Sequence, residues 1–177
     1  FGITVTIGIG SPYREMSEIS LSFHEAAEAL KYKIVTGNGS VILISDIPTH
    51  SEKEMYKVFS KANAISASIK TANKPAVQRL IVRMFGDMMD KSFPPHMIRQ
   101  LSLQMIVQGV RAAMDTGLSV DEIVGNDNRG ACEILDCCET AEQMQRYIED
   151  LFMNLMNRIA EKRSSISIYH CQYVCGG

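Results

Sequence analysis

The chain has 177 residues, 18 Lys and Arg against 20 Asp and Glu, and a formal net charge of −2. A hydrophobic fraction of 46% is enough to bury a sizeable core, and the net charge with a sequence pI near 6.1 makes no electrostatic case for gripping nucleic acid, which normally needs a clustered basic face. No apolar run approaches the roughly 18–20 residues of a membrane span, and no signal peptide is visible.

Thr4, Thr6 and Gly8 alternate with Val5, Ile7 and Ile9, the period-two pattern of a strand with one buried face. Ser11-Pro12 breaks it. A helix is then predicted from roughly Glu15 to Thr36, with Ile19, Phe23, Ala26, Ala27, Leu30 and Ile34 as its apolar stripe. Gly37-Asn38-Gly39 tolerates positive φ where the helix stops and the chain reverses. Val41 to Ile44 is an unbroken apolar run, as in a strand covered on both faces, and Asp46-Ile47-Pro48 ends it. Residues 1–48 thus read as the C-terminal part of an α/β module whose first half is expected upstream.

From Ser51 the period becomes helical. Ser51-x-x-Glu54, Ser119-x-x-Glu122 and Thr140-x-x-Gln143 each have capping-box spacing, in which a hydroxyl and a longer polar side chain satisfy each other's orphan amides. Met55, Val58, Phe59, Ala62, Ile65 and Ile69 form one stripe; Val77, Leu80, Ile81, Met84, Phe85 and Met88 form a second. Asn73-Lys74-Pro75 separates them, because proline suits a first turn and not a helix interior. Phe93-Pro94-Pro95 opens a third helix with Ile98, Leu101, Met105 and Ala112 inward. Met144, Tyr147, Ile148, Leu151, Leu155 and Ile159 mark the last and most regular one, from Thr140 to Lys162. The fold class expected is α+β, mostly α: a strand–helix–strand unit followed by a multi-helix bundle over 51–163. Residues 164–177 fit neither helix nor paired strand and are expected to be a flexible tail.

Candidate chemistry is sparse. Gly8-Ile9-Gly10 lacks the third glycine of a phosphate loop and runs into Ser-Pro, so close strand packing is the favoured role. His24 beside Glu25 and Glu28 has the makings of a general-base pair, although histidines on charged helix faces are far commoner as surface residues. His50 and His96 have no Asp, Ser or Cys partner at a meaningful spacing. Of the five cysteines, Cys132, Cys137, Cys138, Cys171 and Cys175, two are adjacent and the count is odd, which suits a reducing cytosol rather than a disulfide framework. Cys171-x-x-x-Cys175 with His170 is half a zinc site at most. The eleven methionines, Met84, Met88, Met89, Met153 and Met156 among them, favour core filling over an adaptable binding groove. Arg79, Arg83 and Arg99 are scattered among acids and form no stripe. No residue is assigned a catalytic, cofactor-binding or metal-ligating role, and no cofactor is implied.

Two stretches carry a family resemblance. Val5-Thr6-Ile7-Gly8-Ile9-Gly10, then Ser22-Phe23-His24-Glu25-Ala26-Ala27-Glu28-Ala29-Leu30-Lys31-Tyr32-Lys33, then Val41-Ile42, is similar to the C-terminal half of a GGDEF-type domain. More closely, it resembles the degenerate GGDEF-like module of large AraC-family transcription regulators of spore-forming Gram-positive bacteria. There the module precedes a helical segment of about this length, whose end resembles Leu155 to Ser165 here, and then a pair of helix-turn-helix motifs. The resemblance covers residues 3 to 165, with its specificity in the first 45.

That resemblance implies a non-catalytic, cytoplasmic relay between an upstream sensor or receiver of a signal-transduction system and a DNA-binding domain. The expected partner is a second copy in a homodimer. DNA would be reached only through a helix-turn-helix domain that this chain lacks, and this segment would touch no membrane, although the whole protein could be anchored upstream. The Gly-Gly-Asp/Glu-Glu-Phe turn that holds metal and nucleotide in the cyclases is not in this sequence. Two other expectations stand beside this one: a fragment of a GGDEF-type diguanylate cyclase, and a helical scaffold that binds a protein through methionines.

Overall fold

A computed structural model describes residues 3–48, 52–119, 123 and 130–174; for 52–56, 58, 59, 62, 131, 132 and 165–174 it describes the backbone alone. The fold is α+β and mostly helical, as expected: a two-stranded parallel sheet with one helix on it, followed by a multi-helix bundle.

Strand β1 (Ile7–Ile9) pairs in parallel with β2 (Val41–Leu43), with Ile7 opposite Val41, Gly8 opposite Ile42 and Ile9 opposite Leu43. The crossover between them is helical. A 3₁₀ turn at Met16–Glu18 leads into α1 (Ile19–Lys31), and Tyr32 separates α1 from the short α2 (Lys33–Thr36). The single helix expected from Glu15 to Thr36 therefore begins as a 3₁₀ turn and is interrupted once, at Tyr32. Gly37 and Gly39 both adopt positive φ, and the Gly39 N–H donates to Thr6 Oγ1 at 3.0 Å, which stitches the reversal to the start of β1.

The sheet's buried side is the opposite of the one its sequence pattern suggests. A Cβ on Gly8 would overlap the Ala26 carbonyl oxygen, and one on Gly10 would overlap that of Ser22. Only glycines let α1 lie this close, so α1 covers the glycine side, where Ile42 is buried. Val5, Ile7 and Ile9 of the first strand and Val41 and Leu43 of the second point the other way and are exposed. β2 is thus covered on one face, not two. The stripe expected on α1 is kept only in part: Ala26 and Leu30 lie against Gly8 and Ala29 beside them is fully buried, while Ile19 and Phe23 are 59% and 75% exposed.

The bundle follows its sequence closely. Helix α3 (Glu52–Lys70) packs on α4 (Lys74–Asp90) and α5 (Pro95–Asp115), and a short α6 (Ala131–Cys137) packs on α5. The last helix, α7 (Ala141–Val174), lies against α4 and α5. Ile65, Ile69, Val77, Ile81, Met84, Phe85, Met88, Ile98, Leu101, Met105, Met144, Ile148, Phe152 and Ile159 are all at most 1% exposed and form one continuous core. Burying a side chain of this size stabilises the fold by about 1.5–3 kcal/mol relative to leaving it in water. The five core methionines Met84, Met88, Met105, Met144 and Met156 are filler for that core, not a surface groove.

The helices are punctuated by local caps. Asn73 caps α4, its Oδ1 accepting from the Ala76 N–H at 3.2 Å, and Pro75 sits in the first turn. Thr140 Oγ1 accepts from the Gln143 N–H at 3.3 Å, and Gln143 Oε1 accepts from the amides of Glu139 and Thr140, so the expected capping box forms. The boxes expected at Ser51 and at Ser119 include positions outside the described residues. A fourth, unanticipated pairing has the Glu15 N–H donating to the Glu18 carboxylate at 3.3 Å.

Over 164–174 the structure corrects the sequence reading. Those residues continue α7 instead of leaving the helix at Arg163. The physical reason is the lack of a stop signal: no Pro or Gly occurs between Ala141 and Val174, so nothing interrupts propagation of the backbone bonds.

Candidate functional site

Two places join the parts of this molecule: the seam between the α/β unit and the bundle, and the end of the bundle from which α7 emerges.

At the seam, Ile34 is the connecting side chain. The break at Tyr32 turns α2 so that Ile34, 3% exposed, enters the same apolar cluster as the bundle core, with Val35 packed against it. Beside it Lys33 Nζ lies 3.7 Å from Glu139 Oε2, at the start of the α6–α7 turn. Two clefts flank this contact. One, of about 330 Å³, lies between Thr4, Thr6, Leu30, Lys33, Asn38 and Glu139. The other, of about 180 Å³, is bounded by Tyr32, Val35, Ile42, Ile47 and Pro48 and, across the seam, by Ser92. Burial, and then the Glu28 carboxylate, raise the Tyr32 hydroxyl above its ordinary pKa.

The α6–α7 turn is itself clasped from α5. Arg99 donates from Nη1 to the Leu135 carbonyl and from Nη2, at 3.0 Å, to the Cys138 carbonyl. These two acceptors end α6, and a guanidinium satisfies both at once through its planar fork. Cys137 and Cys138 are free thiols; Cys138 is buried, which raises its pKa, and its Sγ lies 3.3 Å from the Ile134 carbonyl.

At the far end of the bundle, α7 fastens the termini of three other helices. Lys162 Nζ donates to the Gly117 carbonyl at 2.6 Å, past the end of α5. Arg163 donates to the Lys70 carbonyl, the last residue of α3. Lys74 Nζ, at the start of α4, donates to Asn157 Oδ1 at 2.6 Å. Cations at the C-termini of α3 and α5 also complement the helix dipoles. The register of α7 against the bundle is therefore pinned at this end, and the helix runs on for eleven residues beyond Arg163.

None of the residues weighed for chemistry converges on a reactive site. The Glu25 carboxylate accepts from the Ser11 N–H at 2.7 Å and from the Tyr13 hydroxyl at 2.8 Å, tying the loop after β1 to α1. Those bonds, the Ser11 amide first, hold its pKa below the ordinary carboxylate value and occupy it as a base. Glu28 pairs with Lys31, which lowers its pKa likewise. His24 is left exposed on the charged side of α1, and His96 sits in the first turn of α5. Asp87 on α4 is held below its usual pKa by Lys61 of α3. Arg79, Arg83 and Arg99 lie on two helices, and Arg99 alone has the carbonyl-clasping role described above. His50 and the side chains of Cys132, His170, Cys171 and Cys175 lie outside the described residues. Among the described residues no group of three or more His, Cys, Asp or Glu is placed to hold a metal ion. Among them, too, no helix is long and apolar enough to cross a membrane.

Sequence reasoning singled out α7 and the Thr140 box but missed Ile34 as the seam residue, Arg99 as the clasp and the pair Lys162 and Arg163. Ile34 was counted in the α1 stripe; a break at Tyr32 leaves no sequence signal there. Comparison with protein-family models, curated proteins and solved structures returns no match.

Proposed function

We propose that this chain is a non-catalytic relay segment of an AraC-like bacterial transcription regulator, acting in the cytoplasm as part of a homodimer. In the whole protein it carries a signal, or a change in association, from an upstream sensor or receiver to a DNA-binding helix-turn-helix pair. The observation that supports this reading best is one unbroken chain of packed parts. The α/β unit inserts Ile34 into the bundle core, and the same core holds Ile148, Phe152 and Ile159 of α7. A displacement of the α/β unit is thus felt by a helix of 34 residues, about 50 Å long. A relay of this kind needs packed elements with two arrangements and no reactive site.

The clefts at the seam support the same reading. They leave open space beside the contact between the α/β unit and the bundle. The gene sequence on either side of this segment tests the proposal. A helix-turn-helix pair downstream and a degenerate turn upstream are the expected result. An intact Gly-Gly-Asp/Glu-Glu-Phe turn with no DNA-binding domain would refute it and make the segment part of a cyclase.

A further inference from the structure

Two adjacent thiols open the turn at which α5, α6, α7 and the α/β unit meet. Cys137 is the last residue of α6 and is exposed; Cys138, its C-cap, is buried and extended, with φ −72° and ψ 124°. The Cys138 N–H and Arg99 Nη1 both donate to the Leu135 carbonyl, and Arg99 Nη2 donates to the Cys138 carbonyl. Cys138 Sγ lies against the Ile134 carbonyl. The next two residues are Glu139, beside Lys33 of the α/β unit, and Thr140, which caps α7. A change of backbone at Cys138 therefore acts on all of these contacts.

We propose that Cys137 and Cys138 form a modification site for a hydroperoxide, which oxidises them to a reversible disulfide and so releases the α6–α7 turn from Arg99. The exposed Cys137 meets the oxidant first. Its thiolate attacks the terminal peroxide oxygen, the O–O bond breaks, and a sulfenic acid forms as the alcohol leaves, or water in the case of hydrogen peroxide. The Cys138 thiol, one peptide bond away, then attacks the Cys137 sulfur; its proton departs with the displaced hydroxyl as water. Two thiols lose two electrons and one hydroperoxide gains them. Because one thiol is exposed and its neighbour buried, bridging them requires backbone movement. Consecutive Cα atoms are about 3.8 Å apart, short of the roughly 4.4–6.8 Å of an ordinary disulfide, so the bridge is strained and readily reduced. Such lability is the mark of regulatory disulfides, and transient ones are the kind a reducing compartment allows. Closing the ring turns the peptide between the two residues. Cys138 Sγ leaves the Ile134 carbonyl, and the Cys138 carbonyl leaves the Arg99 fork. In the relay reading this is an oxidant input at the start of α7; the oxidation itself is tested on this chain alone.

The test uses the 177-residue chain carrying Cys132→Ser, Cys171→Ser and Cys175→Ser, in which only this pair can react. After treatment with hydrogen peroxide, cleavage behind Glu133 and Glu139 frees the peptide Ile134–Glu139. That peptide is expected to be lighter by two hydrogens, about 2 Da, and to regain them with dithiothreitol. Adding Cys138→Ser should leave a sulfenic acid at Cys137 that dimedone traps. The Tm of the oxidised chain is expected to lie about 3–10 °C below that of the reduced chain, through loss of a charge-assisted hydrogen bond. With Arg99→Met the same oxidation should lower Tm by clearly less, since the clasp is already gone. Far-UV circular dichroism identifies variants that keep their helices. Should the triple variant lose them, Ile134–Glu139 from the wild type is read instead, as it holds no other cysteine; should Arg99→Met lose them, Arg99→Lys keeps the charge without the fork. A peptide that keeps both thiols, or passes straight to the sulfinic acid, overturns the proposal. So does a bridge that leaves Tm unchanged or lowers it equally without the Arg99 fork. Each of those results leaves the relay reading to be decided by the flanking gene sequence.

Discussion

Replacing Gly109 of α5 by alanine puts a methyl group against the Phe152 ring of α7. The new Cβ would overlap two ring atoms of Phe152, Cε1 and Cζ, and press on a third, Cδ1. Phe152 is fully buried within the core, so its ring has no free space to enter. Overpacking of this kind costs about 1–3 kcal/mol, and an overlap this deep belongs at the upper end. Alanine returns about 1 kcal/mol through its better helix propensity. The net expectation is a loss of about 2 kcal/mol, or a fall in Tm of about 4–8 °C for a chain of this size. Gly86→Ala in α4 is the matched control, since nothing lies within 4 Å of its added Cβ. There only the propensity acts, and Tm is expected to rise by about 2–4 °C. Thermal and urea unfolding followed at 222 nm reads both. Opposite signs are the expected result; a Gly109→Ala protein as stable as the wild type would refute the packing argument. Adding Phe152→Leu to Gly109→Ala should recover part of the loss, because the two positions share one contact.

Two further outcomes follow from the caps and the loop tie. Thr140→Ala removes the acceptor for the Gln143 amide at the start of α7 and should cost about 1 kcal/mol in urea unfolding. Glu25 is bound by Ser11 and Tyr13 in the folded state, so its folded pKa lies below its ordinary value of 4.5. Its contribution to stability is therefore present above that value and lost as pH falls through the folded pKa. The gap in unfolding midpoint between wild type and Glu25→Gln should be open at pH 7 and close in acid; a gap independent of pH would contradict the assignment.

Much of the bundle was legible in the sequence because its helices obey a single rule. In α4, α5 and α7 the apolar stripes are continuous over three turns or more, and the residues that interrupt them, Asn73, Pro75, Pro95 and Thr140, act locally. The α/β unit was less legible because its packing inverts that rule. Its helix meets the sheet through Ser22, Ala26 and Leu30 against two glycines, and close backbone approach carries no hydrophobic signature. The apolar alternation of Val5, Ile7 and Ile9 was visible, but the side it faces depends on what covers it. The extent of α7 was underestimated for a related reason: Ser and β-branched residues weaken a helix without ending one. The tertiary fasteners could not be read at all. Arg99 reaches a turn nearly forty residues away and Arg163 a carbonyl ninety-three residues away, and neither spacing is encoded locally.

The central proposal is that α7, fastened to the bundle at Lys162 and Arg163 and continuing as helix to Val174, transmits the arrangement of the α/β unit. Alanine insertions immediately after Arg163 in the full-length protein, read with a transcriptional reporter for the proposed DNA-binding output with and without its signal, test it most directly. Two inserted residues rotate everything beyond by about 200°, whereas seven restore the phase to within about 20°. The account predicts that the two-residue insertion abolishes or inverts the signal response and that the seven-residue insertion restores it. A two-residue insertion that responds like the wild type would contradict it.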